Sequence, residues 1–213
     1  MSDDTSAAYE ALGRLAAAVR ALAATTVQLA DTAAASEAAA EIERLVARLV
    51  PRLAEPPLPR HPSSMSQPGA PADLMPFDVV VGRLNPLAPP IVFSAEDGKS
   101  VGRVTFTRPY EGPPGCVHGG VIAAAFDQTL SIANILAGAA GPTKQLVLRY
   151  RKPTPLGVPV RFEGWQTRVE GRSIHAAGRL LAGDVVTAEA EGVFVQLAGR
   201  RVLRMLEPDD PEA

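Results

Sequence analysis

A single cysteine, Cys116, stands among 213 residues, so the chain can form neither an internal disulfide nor a multi-cysteine metal site. Basic charge is also in short supply. Lysine and arginine total 21 against 23 acids, a formal net charge of −2, which offers no positive field to a nucleic acid backbone. The start, MSDDTSAAYE, is acidic where a secretory signal needs a basic segment, and no apolar run is expected to span a membrane. The expected setting is cytoplasmic. Common catalytic signatures are missing too: no serine sits in a G-x-S-x-G elbow and no H-E-x-x-H occurs. Gly98-Lys99-Ser100 looks like the end of a phosphate loop, but the upstream glycine position is Phe93. No metal is expected, and no cofactor.

Proline is absent before Pro51, and the alanine-rich residues 1–53 carry two apolar stripes. Leu12, Leu15, Val19, Leu22, Thr26 and Leu29 recur at spacings of three and four, as do Ile42, Leu45, Val46, Leu49 and Leu53. They predict a helical hairpin extension, with Ser36 a candidate cap for the second helix. Five arginines against seven acids in this stretch give the wrong sign for phosphate, so packing or oligomerisation is the expected role. Residues 54–76 hold EPPLPRHPSSMSQPGAP, too rich in proline for helix or central strand, and read as a linker with His61 simply exposed. Residues 77–206 form the main domain and 207–213 a tail.

Within that domain the period changes to two. IVFSAEDGKSVGRVTF predicts a hairpin turning at Asp97-Gly98, followed by an apolar helix from about Gly119 to Leu136. KQLVLRYR, VRFEGWQTRV, SIHAAGRLL and VVTAEAEGVFVQL then predict strands in an antiparallel meander. The pattern is α+β, a curved sheet wrapped around one buried helix.

That helix contains one acid. On a helical wheel Gly120, Ala123, Ala124, Asp127, Ser131 and Asn134 share a face of small and polar residues, which leaves space for a ligand or a close neighbour. Ile122, Phe126, Leu130 and Ala133 form the apolar face. Residue types alone leave two readings of Asp127 open: a functional carboxylate, or one bonded to a backbone amide or an arginine. His118-Gly119-Gly120 adds bare amides at the helix N-terminus, where unpaired N–H groups attract developing negative charge. An acid and an oxyanion-stabilising amide are two parts of acyl-transfer chemistry. Cys116 beside His118 is read as a buried, inert thiol.

H-G-G followed by an acid eight residues after the first glycine resembles the motif of the hotdog-fold acyl-CoA thioesterases. The likeness is to the branch of the phenylacetate-pathway enzyme and the mammalian thioesterase-superfamily members. GPPG, LRYRKPTP and EGVFVQL also match, and the likeness covers about residues 85–197. The resemblance implies a hotdog fold and hydrolysis of acyl-CoA, with coenzyme A entering only as part of the substrate. It assigns Asp127 as general base or nucleophile, Gly119 N–H as oxyanion donor, Thr143 as a water-holding hydroxyl and His118 as support for the glycine loop. Where many relatives carry an asparagine before H-G-G, this chain has Glu111-Gly112, which puts help from such an amide in doubt.

Eight helical residues separate Gly119 from Asp127 by about 12 Å, at roughly 1.5 Å per residue. One helix cannot easily place both groups against one thioester carbonyl, whereas two antiparallel helices across a two-fold axis can. The expected assembly is a homodimer or a dimer of dimers. Arg151, Lys152 and Arg172 are candidates for holding coenzyme A phosphates. The rival functions are a non-catalytic acyl-CoA sensor and a hotdog hydratase, for which His175 is the free histidine.

Overall fold

The computed structural model describes residues 3–53 and 75–196. Most of the expected linker, with His61, lies outside the described residues, as do residues 197–206 and the tail. Two N-terminal helices, α1 (Asp3–Thr26) and α2 (Thr32–Leu49), precede β1 (Val92–Glu96), β2 (Lys99–Thr105), α3 (Gly119–Leu136), β3 (Thr143–Tyr150), β4 (Pro159–Glu170), β5 (Ser173–Ala182) and β6 (Val185–Val195). The expected hairpin turns through Asp97 and Gly98, both at positive φ (49° and 73°), as a two-residue turn joining right-twisted strands requires.

The sheet order is β1-β2-β4-β5-β6-β3, with every neighbouring pair antiparallel. Only β4 to β6 form the expected meander. After α3 the chain enters the far edge as β3, paired to β6, and then returns to β4 beside β2. This corrects the sequential arrangement and makes β3 an edge strand next to the helix that precedes it. Strands β2 to β6 all contact α3, giving the hotdog arrangement.

Ile122, Phe126, Leu130 and Ala133 are buried, and the Phe126 and Phe162 rings meet edge to face at 5.2 Å. By length and mean hydropathy, 1.2 over 18 residues, α3 could cross a membrane, contrary to the sequence expectation. Its apolar face is covered by the sheet instead.

The close approach depends on glycines on the sheet's inner face. A Cβ on Gly178 would meet Glu163 O at 2.7 Å and Leu130 Cδ2 at 3.0 Å, and one on Gly192 would meet Leu130 Cδ1 at 3.0 Å. Gly178→Ala therefore forces backbone or helix to shift, at a cost of about 1–3 kcal/mol for overpacking. The expected result is a lower urea midpoint with an unchanged slope; a midpoint equal to wild type would show slack between helix and sheet.

The N-terminal helices differ from their expected packing. Tyr9 and Ala16 of α1 are buried, the Tyr9 ring lies 6.1 Å from that of Phe77 at a tilt of 48°, and Arg20 Nη1 donates to Asn85 O at 2.8 Å. The stripe of Leu15, Val19 and Leu22 instead stays 38–44% exposed. Helix α2 buries no residue, so the two stripes do not close a packed hairpin. Its cap is Asp31, which accepts from Ala33 N and Ala34 N, rather than Ser36, whose hydroxyl donates to Thr32 O.

Between Met75 and Ile91 the chain forms turns that feed the core. Asp78 Oδ1 accepts from Val80 N and Val81 N, and Val80, Val81, Leu84, Ala88 and Ile91 are buried.

Candidate active site

The loop entering α3 is tied down before the helix begins. Glu111 accepts from Gly115 N and from Arg108, both at 2.7 Å. These contacts, Gly115 first, hold its carboxyl below the usual glutamate range. A lowered value means the tie is in place above the ordinary carboxylate range and is lost only as pH falls through the lowered one. Glu111 thus closes the GPPG turn, and His118 N donates to Tyr110 O at 2.8 Å.

His118 is the N-cap. Its Nδ1 accepts from Gly120 N at 3.0 Å. Gly120 is therefore not a bare amide, which corrects the expectation that it is free to meet a ligand. The Gly119 N–H, by contrast, has no acceptor among the described residues. It is one of the donors that a helix leaves unpaired at its first turn. Occupation of Nδ1 also removes His118 as a base for Cys116. That thiol is half-buried rather than buried, with Sγ 3.7 Å from Pro114 O.

Asp127 is half-buried on α3, and Thr143 Oγ1 donates to its Oδ1 at 2.7 Å. Strand β3 achieves this through an irregularity. Leu146, Leu148 and Tyr150 pair with Gly192, Ala190 and Ala188, which face α3. Strict alternation would bring Lys144 inward and turn Thr143 out. A bulge between Thr143 and Gln145 places Thr143 opposite the buried Phe194 and re-aims it at Asp127. The acid is thus bonded to a hydroxyl, and among the described residues no arginine or backbone amide bonds it.

The other expected positions separate. Ala124 and Gly120 are exposed, and Ala123 and Ser131 are half-buried, so this face stays open as far as Ser131. Asn134 is 1% exposed, accepts from Gln166 Nε2 at 3.4 Å, and its Nδ2 has no partner among the described residues. Arg151 is engaged by Glu189 at 2.6 Å. It lies at the Tyr150 end of β3, where its N–H donates to Thr187 O, as does that of Lys152. Arg172 bonds Gln196 at the Thr143 end. The eight residues of β3, a span of about 23 Å from end to end, therefore divide these cations within one chain.

His175 lies on β5 between the buried Ile174 and Ala176, so it points away from α3 and toward Glu170, 3.7 Å distant. Among the described residues Asp127 has no histidine partner. Cavities of about 580, 350 and 250 Å³ occur elsewhere in the chain, and neither Asp127 nor Gly119 lines any of these three.

One polar contact had not been singled out from the sequence. The Tyr150 hydroxyl donates to Gly119 O at 2.8 Å. Alternation from Leu146 and Leu148 places Tyr150 on the inner face, which was the available signal.

Residues 114–191 match the family described as Thioesterase superfamily. Acyl-coenzyme A thioesterase THEM4 of Xenopus laevis is 33% identical over 92 residues, 42% of this chain and 41% of its own length. THEM5 of Homo sapiens is 32% identical over 104 residues, 48% and 39% respectively. The chain thus spans about two fifths of the length of these curated relatives. A crystal structure described as a thioesterase superfamily protein is 35% identical, with a TM-score of 0.72 over 86% of this chain and 94% of that one. Likeness over nearly the whole of that protein, and a family match containing both Gly119 and Asp127, show that this chain belongs to the thioesterase superfamily.

Proposed function

We propose that the protein hydrolyses acyl-CoA thioesters to a carboxylic acid and free coenzyme A. The observation that carries this reading is the Asp127 carboxylate, held by Thr143 on the open face of a helix whose first N–H has no acceptor among the described residues. Thr143 occupies Oδ1, leaving Oδ2 to accept a proton from water. That water attacks the thioester carbonyl carbon, and negative charge develops on the carbonyl oxygen, where an N–H aligned like that of Gly119 stabilises it. Collapse of the tetrahedral intermediate breaks the C–S bond, and the thiolate takes the proton held on Asp127, which releases free coenzyme A and restores the carboxylate.

The site is completed by a second copy. Gly119 and Asp127 lie about 12 Å apart along one helix, too far to serve one carbonyl. The outer edge of β3 has no strand partner among the described residues, so a homodimer joined there would bring one helix beside the other. Lys152 and Arg172 would face coenzyme A phosphates from different chains, and Arg151 would have to leave Glu189 to join them.

A panel of acyl-CoAs assayed for released thiol tests the activity, and at least one ester is expected to turn over. Binding of acyl-CoA without thiol release would favour the sensor reading. The hydratase reading has no observation in its favour, since His175 faces away from Asp127.

A further inference from the structure

We propose that Tyr150 is a positioning residue for the oxyanion amide, an inference that rests on the thioesterase reading above. The peptide joining Gly119 to Gly120 is held at both polar atoms from outside the helical ladder: its oxygen accepts from Tyr150 at 2.8 Å, and its N–H donates to His118 Nδ1 at 3.0 Å. The preceding peptide carries the free Gly119 N–H, while its oxygen, His118 O, accepts from Val121 N and Ile122 N. Helix ends fray, and an oxyanion donor works by being aimed before the charge develops. Two neighbouring peptides fixed in this way leave the free N–H one direction.

Tyr150 also sits directly over the glycine. A Cβ on residue 119 would come within 3.1 Å of the phenol oxygen and 3.3 Å of Cζ, so the absent side chain makes room for this contact as well as for a ligand. The ring is 54% exposed, and phenylalanine would retain its apolar contacts. What the hydroxyl adds is the bond to the loop. Through β3 one strand therefore holds both halves of the machinery: Thr143 at the acid and Tyr150 at the amide.

The test is Tyr150→Phe in the full chain, beside wild type, on whichever acyl-CoA wild type hydrolyses. The expected kcat is about tenfold lower, less than the hundredfold or more lost with a direct oxyanion donor. KM should stay within about twofold and the melting temperature within about two degrees. In protein labelled with nitrogen-15 at glycine, the Gly119 and Gly120 amide resonances should move. Unchanged kcat overturns the inference and leaves the thioesterase reading standing. A raised KM with kcat intact makes Tyr150 a substrate contact instead, and a clearly lowered melting temperature assigns its hydroxyl to stability; either result overturns positioning. If wild type releases thiol from no acyl-CoA, both readings fall together, and wild type alone shows it.

Discussion

Asp127→Asn is expected to lower thioester turnover about a hundredfold or more, in the range lost when a general base is removed, while the protein folds as before. Asparagine keeps the shape of the side chain and offers a carbonyl oxygen to the Thr143 hydroxyl, so the tie between α3 and β3, 2.7 Å in the native protein, can survive. What disappears is the capacity to accept a proton from water. Circular dichroism and melting temperature should match wild type, which separates lost chemistry from lost structure. Thr143→Val is the companion variant. It frees the carboxylate to rotate but leaves the base, and should cost less than the asparagine change. Turnover near wild type in Asp127→Asn would move the chemistry to another residue.

The residues that make this site differ in how openly the sequence announces them. Helix α3 is legible at both ends, Gly119 and Leu136, because a long apolar run begins at the Gly119-Gly120 pair and stops before Ala137-Gly138. Asp127 stood out as the lone acid on that run. The turn at Asp97-Gly98 is a local property of two residues. Strand order is not: nothing within Thr143–Tyr150 says that it pairs with β6 rather than β4, and its position decides that β3 reaches both Asp127 and Gly119. The bulge after Thr143 shows only once the register against Phe194 and Val193 is known. Gly120 was misread because a histidine cap can take an amide through Nδ1, and the sequence does not say which way the ring turns. Arg151, a candidate for a coenzyme A phosphate, is engaged by Glu189, a partner 38 residues away that the local sequence does not point to. In α1 the apolar stripe is a real periodicity, yet Tyr9 and Ala16 are the buried residues, with Tyr9 against Phe77 in a turn region far along the chain that the helix sequence does not reveal.

Two inactive proteins should recover activity when mixed, if the site is shared between subunits. One is Asp127→Asn and the other Gly119→Pro, which lacks the donor N–H. Proline suits this position: residue 119 is the first helical residue, where proline is tolerated. His118 before it is already extended, with φ −62° and ψ 133°, as a residue preceding proline prefers. The neighbour that must give way is the end of the Tyr150 side chain, which is half exposed and can turn aside with the loss of its bond to the residue 119 carbonyl. In a mixed dimer with shared sites, one site carries both defects and the other neither. Random exchange makes about half of the dimers mixed, so activity should climb from near zero toward about a quarter of wild type. Subunit exchange is followed separately by mass-labelled chains. If exchange is complete and the mixture stays silent, Gly119 and Asp127 act within one chain, and the 12 Å between them must close by a movement of the helix. If the mixture recovers, the open edge of β3 and the unpaired amide belong to one device, in which each copy supplies what the other lacks.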